Sequence, residues 1–570
     1  VSSLPDEKAG PLVALTCALE RAATQPDAVW LHQPRDGGVS TWTWGEAVDE
    51  ARRIAAFLHR LDLPPSSPVA IFSRNCATWI LADLAIWLAG HVSVPIYPSL
   101  TAVTVQQILA HSGARAVFVG PLDGFAQMRE GIPLDIVRIR MPDGPDPEGL
   151  KTDLASPKAD FHVGEWTQIA DEESPFEGVR RSADELATII YTSGSTGHPK
   201  GVMLSFGQMM ASARGVTAMM SISDADRMLS YLPLAHVYER WMVETVSLLT
   251  GMQVFFGESL ATFAADRRRA RPTIFVSVPR LWLKFQQEAF TVVGRGELDA
   301  RLADAGTAED ARNVALCAMG LEHVRFAISG SAPISVELLT WYRDLGIEIR
   351  EGYGMTENFA YSHITRPSDQ RVGFVGPAYP DVQCRLSPDG EILVRSPATM
   401  LGYLDDPEAT AAALTADGFL RTGDLGELDA DGRLRITGRR KELFKTSKGK
   451  YVAPGPLEKR LLAADGIATA CVRGSGRHQP HAIVTLLPGA LETASVAGVE
   501  ASISAFLARL NDELDRHERL AFIAIDREAW TPANGLLTPT MKVRRSVVDE
   551  RFSEREDDWY GRDQTVIWAD

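Results

Sequence analysis

Residues 191–202 read Tyr191-Thr192-Ser193-Gly194-Ser195-Thr196-Gly197-His198-Pro199-Lys200-Gly201-Val202. Three glycines, paired hydroxyls and one lysine follow directly on the apolar run 186–190. That composition describes a loop at a strand end that offers backbone N–H groups, hydroxyls and a positive charge to a polyphosphate. Lys200 follows Pro199 and precedes Gly201, so the spacing is not the G-x-x-x-x-G-K-[ST] of P-loop NTPases and a different phosphate chemistry is implied. Alone, a Gly/Ser cluster reads as a surface turn. Against that stand the twelve ordered residues and the capping box that Ser205 and Gln208 form behind them.

Four further stretches carry groups able to do chemistry. Tyr353-Gly354-Met355-Thr356-Glu357 places an aromatic face, a hydroxyl and a carboxylate within five residues, after an expected strand at Glu348-Ile349-Arg350. Asp424 follows Gly423 in a Thr-Gly-Asp turn, where a carboxylate can accept two hydroxyl protons or simply form the turn. His236 sits between Ala235 and Val237 in an otherwise apolar run, a position that suits a core histidine and a functional one equally. Lys542 stands alone among Leu536, Leu537, Met541 and Val543 on a loop stiffened by Pro539.

Elements that must position these groups follow from periodicity. Thr43 and Glu46 form a capping box before the apolar set Val48, Ala51, Ile54, Ala55, Leu58 and Leu61, which recurs at helical spacing. A buried strand is expected at 68–72, a helix capped by Asn75 through Leu88, a strand at 92–97, a helix at 101–112 and a strand at 114–120. Strands alternating with helices of this length predict a parallel or mixed sheet covered on both faces. Residues 141–177, rich in Pro, Asp and Gly, are expected to be a surface excursion. Later come a helix from Phe206, strands at 228–232, 253–256, 274–278 and 324–328, and a long helix at 240–249. From Val382 short strands with Asp-Gly turns at Asp389-Gly390, Asp417-Gly418 and Asp431-Gly432 predict a small β-rich subdomain. The fold class expected is thus α/β: a large N-terminal domain of α/β sheet subdomains plus that β-rich piece, residues 1–439, then a small mobile α+β C-terminal domain, residues 440–570.

At 570 residues the chain exceeds a single core. Its 58 basic and 74 acidic residues give a net charge of −16, which disfavours wholesale nucleic-acid binding. Residues 440–570 carry 19 basic and 19 acidic residues, so the deficit lies wholly before them. A basic run, Arg439, Arg440, Lys441, Lys445, Lys448 and Lys450, opens that neutral part. Cys17, Cys76, Cys317, Cys384 and Cys471 are scattered without C-x-x-C or metal spacing and predict reduced thiols of a cytoplasmic protein. Residues 1–8 show no secretory pattern. The most apolar window, 79–94, is interrupted by Asp83, Gly90 and His91, too short for a span yet compatible with a peripheral membrane contact. No oligomeric state is implied.

Taken together, the motifs resemble those of the adenylate-forming enzymes: acyl-CoA synthetases, peptide-synthetase adenylation domains and luciferases. The glycine loop is similar to that family's phosphate loop, and Leu232-Pro233-Leu234-Ala235-His236-Val237-Tyr238-Glu239-Arg240 resembles the version in long-chain fatty acyl-CoA synthetases. Gly330-Ser331-Ala332-Pro333, Glu351-Gly352-Tyr353-Gly354-Met355-Thr356-Glu357, Arg421-Thr422-Gly423-Asp424-Leu425, Gly438-Arg439-Arg440-Lys441-Glu442 and residues 534–545 follow in the family's order.

The resemblance implies ATP, Mg²⁺ and coenzyme A as partners of a small-molecule carboxylic acid, with the phosphates held by Thr192, Ser193, Gly194, Ser195, Thr196, Gly197 and Lys200. It implies adenine between Gly330, Ser331, Ala332, Pro333 and the Glu351–Met355 segment, with Tyr353 stacking, and the α-phosphate near Thr356. Mg²⁺ falls to Thr196 and Glu357, the ribose to Asp424 and Arg439. His236 lines the acid's carboxylate site, Trp241 the acyl tunnel, and Lys542 reaches both the carboxylate and the α-phosphate. Lys441 takes the hinge position, Lys448 and Gly449 the pantetheine channel. One departure is that Gly455-Pro456 stand before Leu457-Glu458 where the family shows an acidic or polar residue. The activity implied is an AMP-forming acid:thiol ligase acting on a medium- or long-chain fatty acid. Its alternatives are an acyl-AMP ligase serving a separate carrier protein and a catalytically silent nucleotide-binding protein.

Overall fold

The computed structural model describes residues 13–146, 150, 163–193, 199–330, 334–366, 371, 373–462, 464, 466–487, 489–493, 495–531, 534–538 and 541–569. Two eight-stranded sheets dominate residues 29–403. In the first, the parallel strands Val92–Ile96, Pro68–Phe72, Ala116–Val119 and Val137–Arg140 are flanked by Leu186–Ser193, whose antiparallel partner Pro199–Ser205 leads to the edge strand Gly402–Tyr403. In the second, Ile349–Tyr353, Phe326–Ser329, Ile274–Ser277, Arg227–Ser230 and Gln253–Phe256 run parallel. The helix Ala77–Leu88, buried over all 12 of its residues, belongs to one core that takes Ile71 and Ile190 from one sheet and Ile274 and Ile328 from the other. A helix buried all round follows from a run that is apolar on every face but for Thr78 and Asp83, the latter paired with Arg240.

Local signals shaped the elements as expected. Thr43 and Glu46 cap Trp44–Arg60, which buries Val48, Ala51, Ile54, Ala55 and Leu58. Ser205 and Gln208 cap Phe206–Met220. Gly390, Gly418 and Gly432 each take φ near +80° (+81°, +81° and +76°) in the turns of the antiparallel sheet Gln383–Leu386, Glu391–Arg395, Leu420–Leu428 and Leu434–Arg439. Beyond it lies a separate four-stranded sheet, Ile467–Arg473, His481–Leu486, Ile523–Asp526 and Val566–Trp568, with its own core. All five cysteines are free. No helix among the described residues is long and apolar enough to cross a membrane.

Four expectations are corrected. Asn75 does not cap Ala77–Leu88; Cys76 holds that position without a side-chain capping bond, and the Asn75 side chain turns to another segment. The helix expected at 240–249 begins earlier, at Val237, and passes through a π-helical turn at Arg240–Thr245. That turn carries Arg240 into the core, where it pairs with Asp83 and Glu244, bonds Ser93 and lies 5.4 Å over Trp79. Within 141–177, Val163–Glu165 adds an edge strand and Trp166 is buried against Phe118. The strand expected to end at Arg350 runs through Ile349–Tyr353, so Glu351, Gly352 and Tyr353 lie on a strand rather than after it.

Candidate active site

The cleft is built where strand ends of both sheets meet the β-rich sheet and the C-terminal part. Leu186–Ser193 and Pro199–Ser205 pair in register, with Thr192 opposite Lys200 and Ser193 opposite Pro199. The two strands flank the glycines. Gly194, Ser195, Thr196 and Gly197 lie outside the described residues, as do Ser331, Ala332 and Pro333. Lys200 projects its ammonium to 3.7 Å from Asp406 and 5.0 Å over the Tyr403 ring. Tyr403, paired with Val202 across the sheet, donates its hydroxyl to Glu357 at 2.8 Å. One tyrosine thus ties the phosphate-loop strand to the carboxylate. Sequence reasoning missed it, because nothing in Gly402-Tyr403-Leu404 marks a contact 46 residues away.

Glu357 stands on the one-turn helix Thr356–Asn358, which the Asn358 side chain closes by accepting from the Met355 N–H at 3.0 Å. Gly354 is required before it, since a Cβ there would lie 2.4 Å from the Ala360 carbonyl oxygen. Tyr353 ends its strand and donates to Asp424 at 2.7 Å. The buried Asp424 also receives Arg439 at 2.9 Å, its cross-strand partner. A carboxylate has about four acceptor positions, so two remain for hydroxyls of a ligand. Gly330 donates its N–H to Ser277, at the ends of neighbouring parallel strands, the edge where ligands of α/β sheets bind.

His236 accepts the Tyr238 N–H at Nδ1, 3.2 Å away. The neutral ring therefore carries its proton on Nε2. Burial, and then the Lys542 charge, push His236 down to about 4, so the ring is a neutral donor at physiological pH. Trp241 is buried edge-on against Tyr238, Tyr361 and Tyr379 at 5.6, 6.2 and 6.0 Å. Burial pushes the Glu351 carboxyl up to about 7, opposed by Lys459 of the C-terminal part.

Lys542 reaches this cleft from the C-terminal part. Thr538 shapes its loop: the hydroxyl accepts the Lys542 N–H at 3.0 Å, the backbone N–H bonds the Lys542 carbonyl at 2.7 Å, and Met541 takes φ +63°. Leu536 and Leu537 are buried beneath it and anchor the loop. The Lys542 side chain keeps contact with solvent while protein groups crowd it. Burial and then Arg439 hold it below the usual lysine range, against the pull of Asp424, Glu442 and Glu357. Groups of both parts therefore converge on one ammonium.

The expected hinge residue lies where the ion pairs change sides. Arg440 binds Asp389 at 2.6 Å and Glu391 at 3.2 Å, within the β-rich sheet, whereas Glu442 binds Arg545 at 3.3 Å and Arg545 binds Glu458 at 2.6 Å. Lys441 separates them. Lys448 and Gly449 form the exposed turn between Phe444–Lys445 and Tyr451–Val452, with Gly449 at φ +73°. Gly455 and Pro456 fall in the first turn of the helix Pro454–Leu461, where proline is tolerated.

Among the described residues no three His, Cys, Asp or Glu side chains form a metal cage. Glu357, half-buried and braced by Tyr403, suits Mg²⁺, which commonly takes one or two carboxylates and completes its shell with phosphate oxygens and water.

A model of the AMP-binding enzyme family matches residues 19–404, and one of the AMP-binding enzyme C-terminal domain matches residues 442–564. The chain belongs to the AMP-binding enzyme family. It is 32% identical to the long-chain-fatty-acid–CoA ligase FadD15 of Mycobacterium bovis over 580 aligned residues, 94% of each chain. It is 28% identical to the peroxisomal long chain acyl-CoA synthetase 6 of Arabidopsis thaliana, over 91% of this chain and 82% of the relative. Among solved structures, the adenylation domain of a carboxylic acid reductase from Segniliparus rugosus, in complex with AMP and a co-purified carboxylic acid, superposes with a TM-score of 0.79 at 22% identity. That superposition covers 96% of this chain and 94% of the other. At that identity the structural likeness shows the fold, which this AMP-binding enzyme shares.

Proposed function

We propose that this AMP-binding enzyme activates a carboxylic acid, of the medium- or long-chain fatty class, as its acyl-adenylate and transfers the acyl group to coenzyme A. The observation that carries the reading is the convergence of Lys542 from the C-terminal part with Asp424, Glu357 and His236 from the N-terminal part. The reading divides the chain into residues 1–439, which bind ATP and acid, and residues 440–570, which act as a lid. In the first half-reaction a carboxylate oxygen attacks the α-phosphorus, the bond to the β-phosphate oxygen breaks, and pyrophosphate leaves. Two anions must approach, so an ammonium held between them lowers the barrier by electrostatic preorganisation. In this reading Lys542 is that ammonium, and His236 donates Nε2–H to the acid. Tyr353, Asp424 and Arg439 seat the nucleoside, with Thr192, Ser193 and Lys200 on the phosphates beside Gly194, Ser195, Thr196 and Gly197. Glu357 and Thr196 would hold Mg²⁺, which when bound neutralises phosphate charge.

In the second half-reaction the lid turns about Lys441 and brings Lys448 and Gly449 to the pantetheine arm. The CoA sulfur attacks the acyl carbon, AMP leaves with the bonding pair, and the thiol proton passes to solvent. With a pKa of about 8.5 the thiol is mostly protonated at neutral pH, yet its thiolate suffices for an activated anhydride. The names of these two relatives support CoA as acceptor.

A panel of straight-chain and aromatic acids, incubated with ATP and CoA and scored for pyrophosphate, AMP and thioester, tests the reading. AMP and acyl-CoA are expected in equal amounts, greatest for medium or long chains. Pyrophosphate release with AMP and thioester appearing only once a carrier protein is added would shift the acceptor, and no pyrophosphate release with any acid would leave only nucleotide binding.

A further inference from the structure

We infer that Asn75 and Glu239 are positioning residues that hold His236 in register with the acid's carboxylate, an inference that rests on the proposed role of His236. Asn75 follows the strand Pro68–Phe72 of one sheet, and its side chain crosses to the end of Arg227–Ser230 in the other. Its amide donates to the Ser230 hydroxyl at 2.8 Å and to the Leu232 carbonyl at 2.6 Å, and its oxygen accepts the Leu234 N–H at 2.8 Å. All three bonds go to the segment that leads into His236. From the far side, the buried Glu239 carboxyl accepts the Ser230 hydroxyl at 3.0 Å and the Tyr231 N–H at 2.9 Å. Ser230 thus receives from Asn75 and donates to Glu239, closing a chain that grips the segment at both ends.

Between these anchors the backbone makes a turn, with the His236 N–H on the Pro233 carbonyl at 2.8 Å, and the imidazole then caps the short helix Val237–Glu239. Leu234 and Ala235 are buried, so the turn has no slack with which to compensate for a lost anchor. Neither Asn75 nor Glu239 is required by the chemistry of adenylation itself. Their bonding is spent on the geometry of one turn. Burial pushes the Glu239 carboxyl up to about 8, so it is largely uncharged at neutral pH and a Gln carbonyl can replace it as acceptor.

The test is a double-mutant cycle between Asn75→Ala and His236→Ala, read as KM for the acid and, separately, KM for ATP in adenylate formation, with thermal midpoints alongside. Asn75→Ala is expected to raise the acid KM by about 10-fold, the weight of lost buried hydrogen bonds, while the ATP KM stays within about 2-fold. In the His236→Ala background the same change should have an effect under about 3-fold, since coupled residues are not additive. Glu239→Ala should behave as Asn75→Ala, and Glu239→Gln, whose single carbonyl oxygen can accept both bonds as Oε1 of Glu239 does, should restore the acid KM. These two carry the same cycle if Asn75→Ala does not fold. An equal effect of Asn75→Ala with and without His236 would overturn the inference and leave the role of His236 standing. An unchanged acid KM in His236→Ala alone would overturn that role instead.

Discussion

Lys542→Ala is expected to slow acyl-adenylate formation by about 10²–10³-fold, the usual cost of removing one preorganised charge from a site of developing negative charge. The effect should fall on one half-reaction. The charge of Lys542 acts on His236 and is acted on by Asp424 and Glu357 because the C-terminal part is docked as it is here. Thioester formation from supplied acyl-adenylate and CoA, which in the proposed cycle uses a second pose, should stay within about 5-fold of wild type, the level of an uninvolved surface change. Folding should be unaffected, because the side chain faces solvent and the loop is anchored by Leu536 and Leu537 beneath it. Pyrophosphate exchange for the first step and thiol consumption for the second separate the two. Equal losses in both would mean that the lysine holds the lid rather than the transition state.

Lys441→Pro is expected to act in the opposite sense. Proline fixes φ near −65°, and forcing it elsewhere costs about 3 kcal/mol or more, equivalent to about 10²-fold in population. Arg440 is bound to Asp389 and Glu391 on one side of Lys441, and Glu442 to Arg545 on the other, so any rotation between the two ion-paired bodies must be absorbed there. Adenylate formation should therefore continue, while thioester formation falls by about 10²-fold and acyl-adenylate accumulates on the enzyme. Single-turnover quenching that resolves adenylate from thioester measures this. Unimpaired thioester formation would place the hinge elsewhere.

How much of this was legible in the sequence depends on the range of the forces involved. The capping boxes at Thr43 and Ser205 and the Asp-Gly turns were readable because donor, acceptor and the glycine that permits positive φ lie within four residues of one another. Tyr353, Asp424, Arg439 and Lys542 gather on one nucleotide only through the resemblance, since the residues alone carry no signal of two sheets and a C-terminal part meeting. Asn75 reads as a helix cap because Asn before an apolar run usually is one. Its actual partner Leu232 lies 157 residues on, at a sheet junction that no local pattern reports. The sequence places the helix after His236 too late and without its π turn, because Asp83, the partner that holds Arg240 in the core, lies 157 residues away and no local pattern reports it. In the fold Arg240 pairs with Asp83 and Glu244 and lies between Trp79 and Trp87 at 5.4 and 5.7 Å, while Glu239 accepts from Ser230 and Tyr231. Tyr403 escaped for the same reason as Asn75, its partner Glu357 belonging to another motif.

The central claim is that a carboxylate attacks the α-phosphorus of ATP in the cleft closed by Lys542. It is tested most directly by supplying a fatty acid whose carboxylate carries heavy oxygen, with ATP and CoA, and weighing the products. One labelled oxygen should appear in the phosphate of AMP and none in pyrophosphate, because the acyl–oxygen bond of the adenylate is the one the thiol later breaks. Label in pyrophosphate or inorganic phosphate, or acyl-CoA formed beside unlabelled AMP, would contradict the account.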